Sequence, residues 1–421
     1  MTTPEPAAAE AEHEVHASWP ELFFDLVAVA GVSALAHVLV GDLSLEGLGL
    51  YLVMFLAFWM AWTSFMLYGN VRGEQALALR LLLGMFGIGV MSACVPGIAH
   101  GVLEGHRPEQ MTVFAAAYVA VRVVGSKAFD RQVVLDFPVV QQSLSTVPWL
   151  VSIWVDDLHV VIALWVAGLA IDALGVVMVS SDEMLEKAEE RYREVERRVS
   201  RRPGRDEGRS QELLDRFRLV PVSGSPEHLA ERMGLFIIIV LGEGVVQVVH
   251  AASEAEPARG LLLSGGLAFA LLSGLFGLSV RYGYAGVPHL RPGVLPVRFA
   301  LGVHGLVSAL LAAVAVALAG VVEHGHEPLG DDQRWLLCAC VAAYFVIGLA
   351  AALGARGTRP SWSLVWLVTG VVLPLVLGLV GGELGATALT GMLLVAVLAH
   401  VVAEARLEAR VAPAPPGNAG P

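Results

Sequence analysis

The chain has 421 residues, 56% of them hydrophobic and only 16% charged, with a formal net charge of −12. A soluble domain carries about 25% charged residues, so an ordinary soluble fold is excluded. The acidic balance also excludes a nucleic-acid-binding surface, which needs clustered basic residues.

Charges gather in short intervals separated by apolar stretches of roughly 20 residues, the length that crosses a hydrocarbon core of about 30 Å. The first twenty residues hold Glu5, Glu10, Glu12 and Glu14 but no Lys or Arg, so the first apolar segment is expected to insert uncleaved. Taken in order, the predicted spans are 22–40, 46–68, 77–99, 109–129, 134–154, 158–180, 229–251, 260–282, 297–322, 333–354, 362–380 and 384–405. The fifth holds Asp136, Pro138, Gln141, Gln142 and Pro148, which marks it as a broken or re-entrant element. The fold class is therefore all-α: an integral membrane protein of about twelve helices in two six-helix halves. The divisions are an acidic tail (1–18), a first half (19–180), a charged linker (181–228), a second half (229–405) and a tail (406–421).

Basic residues set the orientation. With the amino terminus inside, 21 of the 27 Lys and Arg fall in inner loops and tail, and only Arg107, Arg259 and Arg334 fall outside. Both termini and the 181–228 linker are thus expected in the cytoplasm, in a bacterial cytoplasmic membrane. The linker opens on a helix whose Leu185, Ala188, Tyr192, Val195 and Val199 form one stripe, with Glu189/Arg193 and Glu194/Arg198 as i,i+4 pairs.

Six spans per half invite a search for a parallel repeat. Tyr68-Gly69 matches Tyr282-Gly283, Arg80 matches His304, Tyr118 matches Tyr344, Pro148 matches Pro374 and Asp172 matches His400. The first pair of spans aligns ambiguously by one turn.

Ionisable side chains inside a membrane are costly and mark candidate functional positions. In the first span Glu21, Asp25, Ser33 and His37 share a ridge. In the seventh, Glu231, Glu243 and Gln247 do so, and Glu243 lies near mid-span between Gly242 and Gly244. Matched depth pairs Asp25 with Arg80 and Arg122 with Asp172. Tyr118 shares a ridge with Arg122, and His304 and His400 complete the candidate substrate or proton pathway. The bland alternative is structural ion pairs and snorkelling side chains. His100, Glu104, His106, His324 and His326 crowd the outer loops without metal-ligand spacing, and no nucleotide fingerprint or nucleophile elbow is present, so no metal or cofactor is expected.

The run Glu21-Leu22-Phe23-Phe24-Asp25-Leu26-Val27 with Ser33-x-x-x-His37, and Leu241-Gly242-Glu243 after Glu231-Arg232, resembles the signatures of the bacterial low temperature requirement A protein family. Ala28 stands where that family is expected to have an aromatic residue, and Gly244 where Ser is usual. The resemblance covers about residues 18–405. It implies the multi-span fold but no substrate. The expected function is a secondary transporter or permease with titratable groups placed for proton coupling, whose partners are the bilayer and a small molecule or ion. A membrane-embedded enzyme acting on a lipid, or a non-catalytic stress-adaptation protein, are the alternatives.

The topology is checked with single cysteines at Ser210 and Gly382 and an impermeant thiol reagent applied to intact cells. Gly382 is expected to label and Ser210 to stay protected; the reverse pattern would invert the orientation.

Overall fold

The computed structural model describes residues 18–73, 78–127, 132–134, 137–141, 144–178, 181–200, 220–222, 224–255, 259–282, 296–354 and 364–411. The first half holds α1 (Trp19–Gly41), α2 (Leu45–Arg72), α3 (Ala78–Leu103), α4 (Glu109–Lys127), a short strand β1 (Gln132–Val134), a 3-10 turn (Pro138–Gln141), α5 (Thr146–Ser152) and α6 (Leu158–Met178). The linker contributes α7 (Ser181–Ser200) and β2 (Val220–Val222). The second half holds α8 (Pro226–Glu254), α9 (Arg259–Phe276) running into a π turn (Gly277–Arg281), α10 (Val297–His324) and α11 (Asp331–Gly354). A second π turn (Leu367–Val372) then leads into α12 (Leu373–Val380), and α13 (Ala386–Val411) closes the half. Ten helices among the described residues are long and apolar enough to cross a bilayer.

Two predicted spans are not among those ten. The 109–129 segment is a continuous helix of 19 residues, α4, that carries Arg122 in its apolar run. The 134–154 segment is not one helix: a 3-10 turn at Pro138 and a seven-residue helix at Thr146 replace it. Pro138 and Pro148, which cannot donate to a helix backbone, suit the break. Asp136, Gln142 and Ser143 lie outside the described residues. The linker is not wholly separate from the membrane half. β1 pairs in parallel with β2, with Gln132 opposite Val220 and Val134 opposite Val222. Both predicted ion pairs of α7 form, Arg193 to Glu189 at 2.9 Å and Arg198 to Glu194.

The repeat is visible in the packing. α1 packs on α3 and α3 on α4 in the first half, as α8 packs on α10 and α10 on α11 in the second. A detail at the broken fifth elements repeats too. Arg107, beside the start of α4, reaches the Ile153 carbonyl just past α5 (3.5 Å). Arg334, in the first turn of α11, donates from Nε to the Gly378 carbonyl near the end of α12 (3.0 Å). Each guanidinium meets carbonyls that a helix C-terminus leaves unpaired.

Between the halves, α1 lies along α8, and the contacts settle their register. Glu21 meets His228 and Asp25 meets Arg232, both 207 positions apart. A constant difference means the two helices run parallel, and like positions touching like positions is the signature of an approximate two-fold axis. The N-caps agree: Ser18 and Ser225 also differ by 207, each followed by a proline in the first turn. The symmetry is incomplete. α2 sits at the centre of the molecule against α4, α6, α8 and α10, whereas its counterpart α9 packs chiefly on α8, α10 and α13.

Candidate functional site

The seam between α1 and α8 carries the densest set of buried charges. Asp25 has no solvent exposure and Arg232 is 1% exposed. The Arg232 fork grips Asp25 at both oxygens, Nε to Oδ2 at 3.0 Å and Nη2 to Oδ1 at 2.5 Å. From α2, Trp62 donates its indole N–H to Asp25 Oδ1 at 2.7 Å. One turn earlier, Glu21 lies between the helices. Its Oε1 is 3.0 Å from Arg232 Nη1 and 3.4 Å from His228 Nε2. Its Oε2 accepts from the Ser18 N–H (2.9 Å) and hydroxyl (2.8 Å). Charges this deep are tolerated only when paired and hydrogen-bonded. Here one guanidinium serves two carboxylates, with an imidazole close to the second.

Small residues make the approach possible. A Cβ on Gly69 of α2 would lie 2.2 Å from Glu21 Oε1. Next to it, Asn70 pairs with the start of α8, donating from Nδ2 to the Ser225 carbonyl (3.2 Å) and accepting the Ser225 N–H at Oδ1 (2.9 Å).

His304 of α10 abuts this cluster from the second half. Trp59 donates its indole N–H to His304 Nδ1 (3.1 Å), and His304 Nε2 lies 3.1 Å from the Met233 carbonyl. An indole nitrogen only donates, so Nδ1 accepts and the proton sits on Nε2, facing Met233. The ring is thus a neutral clamp joining α2, α8 and α10. Trp62 and Phe236 pack with it in a triangle of rings, Trp62 5.7 Å from the His304 ring and 4.3 Å from the Phe236 ring, and Phe236 5.6 Å from His304.

A second buried cluster lies wholly within the first half. Arg122 Nη2 bonds Asp172 Oδ1 at 2.9 Å, the pair predicted from depth. Arg122 also donates to the Ser64 hydroxyl (3.1 Å) and, more weakly, to that of Ser145 (3.4 Å). Tyr118, one turn before Arg122, packs at a tilt against Trp149 with ring centres 4.3 Å apart.

The predicted pairing of Asp25 with Arg80 is corrected. Asp25 turns toward α2 and α8, and Arg80 lies over the Tyr68 ring, 5.7 Å from its centre. The better partner was legible. Asp25 and Arg232 each follow a capping serine by seven residues, and Glu21 and His228 each follow one by three. Depth counted from the caps pairs them. His400 stands apart in the second half, 2.9 Å from the Thr369 hydroxyl and 4.5 Å from the Phe345 ring. Glu243 and Gln247 are partly exposed, beside the outward stripe of Ile238, Val246 and Val249. Gly244 instead serves packing, since a Cβ there would lie 2.6 Å from the Ala315 Cβ. The His37 side chain lies outside the described residues.

The family model for the bacterial low temperature requirement A protein (LtrA) matches residues 16–403, both signature runs and both halves included. The chain belongs to that family. LtrA membership covers the α1–α8 seam and the Arg122–Asp172 cluster alike. This LtrA chain is also 29% identical over 256 residues to an uncharacterized protein of Rhizobium meliloti (strain 1021). That match takes in 58% of this chain and 53% of the relative, so the chain spans about half the length of that curated relative. No solved structure matches.

The seam is tested by Gly69→Ala. The added methyl group has to displace Glu21 or part α2 from α1, an overpacking cost of about 1–3 kcal/mol. Gly302→Ala is the control, because a Cβ there meets nothing within 4 Å. It should gain about 0.5–1 kcal/mol from helix propensity. Thermal unfolding in detergent is expected to shift in opposite directions for the two variants.

Proposed function

We propose that this LtrA protein is a proton-coupled secondary transporter or permease, in which the α1–α8 seam closes one end of the path between the halves. The observation that carries the reading is the placement of a buried charge network where equivalent positions of two repeats meet. Repeat interfaces are where secondary transporters keep their sites, and rocking one repeat against the other gives alternating access. A dry carboxylate–guanidinium pair suits a closed gate. Separating the charges while they stay buried is costly, but parted helices let water hydrate both and the pair gives way at little net cost. On the orientation expected from the basic residues, this gate is the cytoplasmic one.

Glu243 is the proposed proton carrier. It lies eleven residues after Arg232, three turns along α8 on the same face. Three turns beyond the seam, it is partly exposed there. Glu243→Gln keeps shape and hydrogen bonding but removes the titration.

Liposomes containing the purified protein and internal pyranine would be given a pH gradient with a panel of radiolabelled amino acids, sugars and organic anions. Gradient-dependent uptake of at least one solute class is expected, and Glu243→Gln should abolish the pH dependence while leaving folding intact. Flux no greater than in empty liposomes, or a Gln variant with full pH dependence, would overturn the reading.

A further inference from the structure

The Arg122–Asp172 cluster of the first half is saturated on one side and bare on the other. Tyr118, Arg122, Trp149 and Asp172 are all at most 4% exposed. Yet the Tyr118 hydroxyl, Arg122 Nε, Trp149 Nε1 and Asp172 Oδ2 have no hydrogen-bond partner among the described residues. They are close neighbours. Tyr118 precedes Arg122 by one helical turn and its ring packs at a tilt against Trp149. Trp149 Nε1 lies against Gly168, one turn before Asp172, and Arg122 holds the other oxygen of Asp172. Buried polar groups are almost always satisfied, by protein or by ordered water, so such a concentration of unmet donors and acceptors points to an occupant.

The second half supplies an internal comparison. Tyr344, the repeat partner of Tyr118, is equally buried, and its hydroxyl lies 2.8 Å from the Ser279 hydroxyl. At the repeat spacing of Tyr68 and Tyr282, Ser279 corresponds to Phe65, which has no hydroxyl. Its neighbour Ser64 is already engaged, donating to the Met60 carbonyl (2.8 Å) and accepting from Arg122. Among the described residues, the first half therefore has the tyrosine without the hydroxyl partner that Tyr344 meets in the second.

We infer that the first half encloses an ordered-water site formed by Tyr118, Arg122 and Asp172, with Trp149 at its edge. Water is the smallest molecule that accepts from the Arg122 N–H, donates to Asp172 Oδ2 and exchanges either role with the Tyr118 hydroxyl. A buried water typically makes about three such bonds. The site does not depend on the transport reading, since it lies inside one half and away from the seam.

A cryo-EM or crystal map of the full chain at about 2 Å, fine enough for ordered waters to appear as peaks, decides the matter. One or more compact peaks within about 3.2 Å of the Tyr118 hydroxyl and of Asp172 Oδ2 or Arg122 Nε are expected. Absence of any peak would overturn the site, and continuous density too large for water would overturn the assignment to water. Tyr118→Phe gives an independent reading by thermal unfolding. If the hydroxyl is hydrated, its loss lowers Tm by about 1–2 °C, taking one hydrogen bond in a chain of this size. If it is dry and unmet, removing it raises Tm, which would count against the site.

Discussion

Asp25 is cut off from solvent, and Arg232 is nearly so. In that setting the charged states survive only because the guanidinium fork meets both carboxylate oxygens and Trp62 adds a third donor. The rest of the arrangement follows. The pair sits in the second turn of each of two helices that begin different halves of the chain, so its formation sets their relative height and direction. Glu21 and His228 repeat the contact one turn earlier with the same sequence separation. Gly69 then has to be small, because the Glu21 carboxylate occupies the space of its side chain. Polar pairing of this kind specifies one arrangement among the many that apolar helices could adopt by packing alone.

The two halves share a pattern of packing but not of polar chemistry. The first keeps a full ion pair, Arg122–Asp172, in its interior. At the matching place the second has His400 beside a threonine and two aromatic rings. It also sends His304 into the centre, where Trp59 and the Met233 carbonyl fix the ring. That clamp couples α2 to α8 and α10, and it accounts for the central position of α2. His304 thereby works as a structural joint between the halves, with both ring nitrogens engaged.

Much of this was legible in the sequence. Apolar run length located the helices within a few residues, because desolvation dictates their extent. Depth counting found Arg122–Asp172, since both residues lie in one half and their spans have clear ends. It failed for Asp25 because Arg80 was the nearest basic residue at that depth along the chain, and the repeat alignment was ambiguous by one turn at the first pair of spans. The capping serines, Ser18 and Ser225, carried the right alignment. Trp62, Ser64, Asn70 and Ser145 gave no such signal. Each is an ordinary residue in an apolar or capping context, and only tertiary packing turns its polar atom toward a charge. The β1–β2 pairing was hidden for the same reason, being three residues long and bridging segments 88 positions apart between Gln132 and Val220.

The central claim is that Asp25 and Arg232 form one energetic unit across the seam. A double-mutant cycle with Asp25→Asn, Arg232→Gln and the combined variant, read as unfolding free energy in detergent, tests it most directly. Arg232→Gln leaves Asp25 buried without its cation and is expected to cost about 3–5 kcal/mol, and Asp25→Asn, which leaves Arg232 with Glu21 alone, somewhat less. The double variant removes both charges and should cost well under the sum. Single costs that add to within about 0.5 kcal/mol would mean that the two residues do not interact, and would contradict the account.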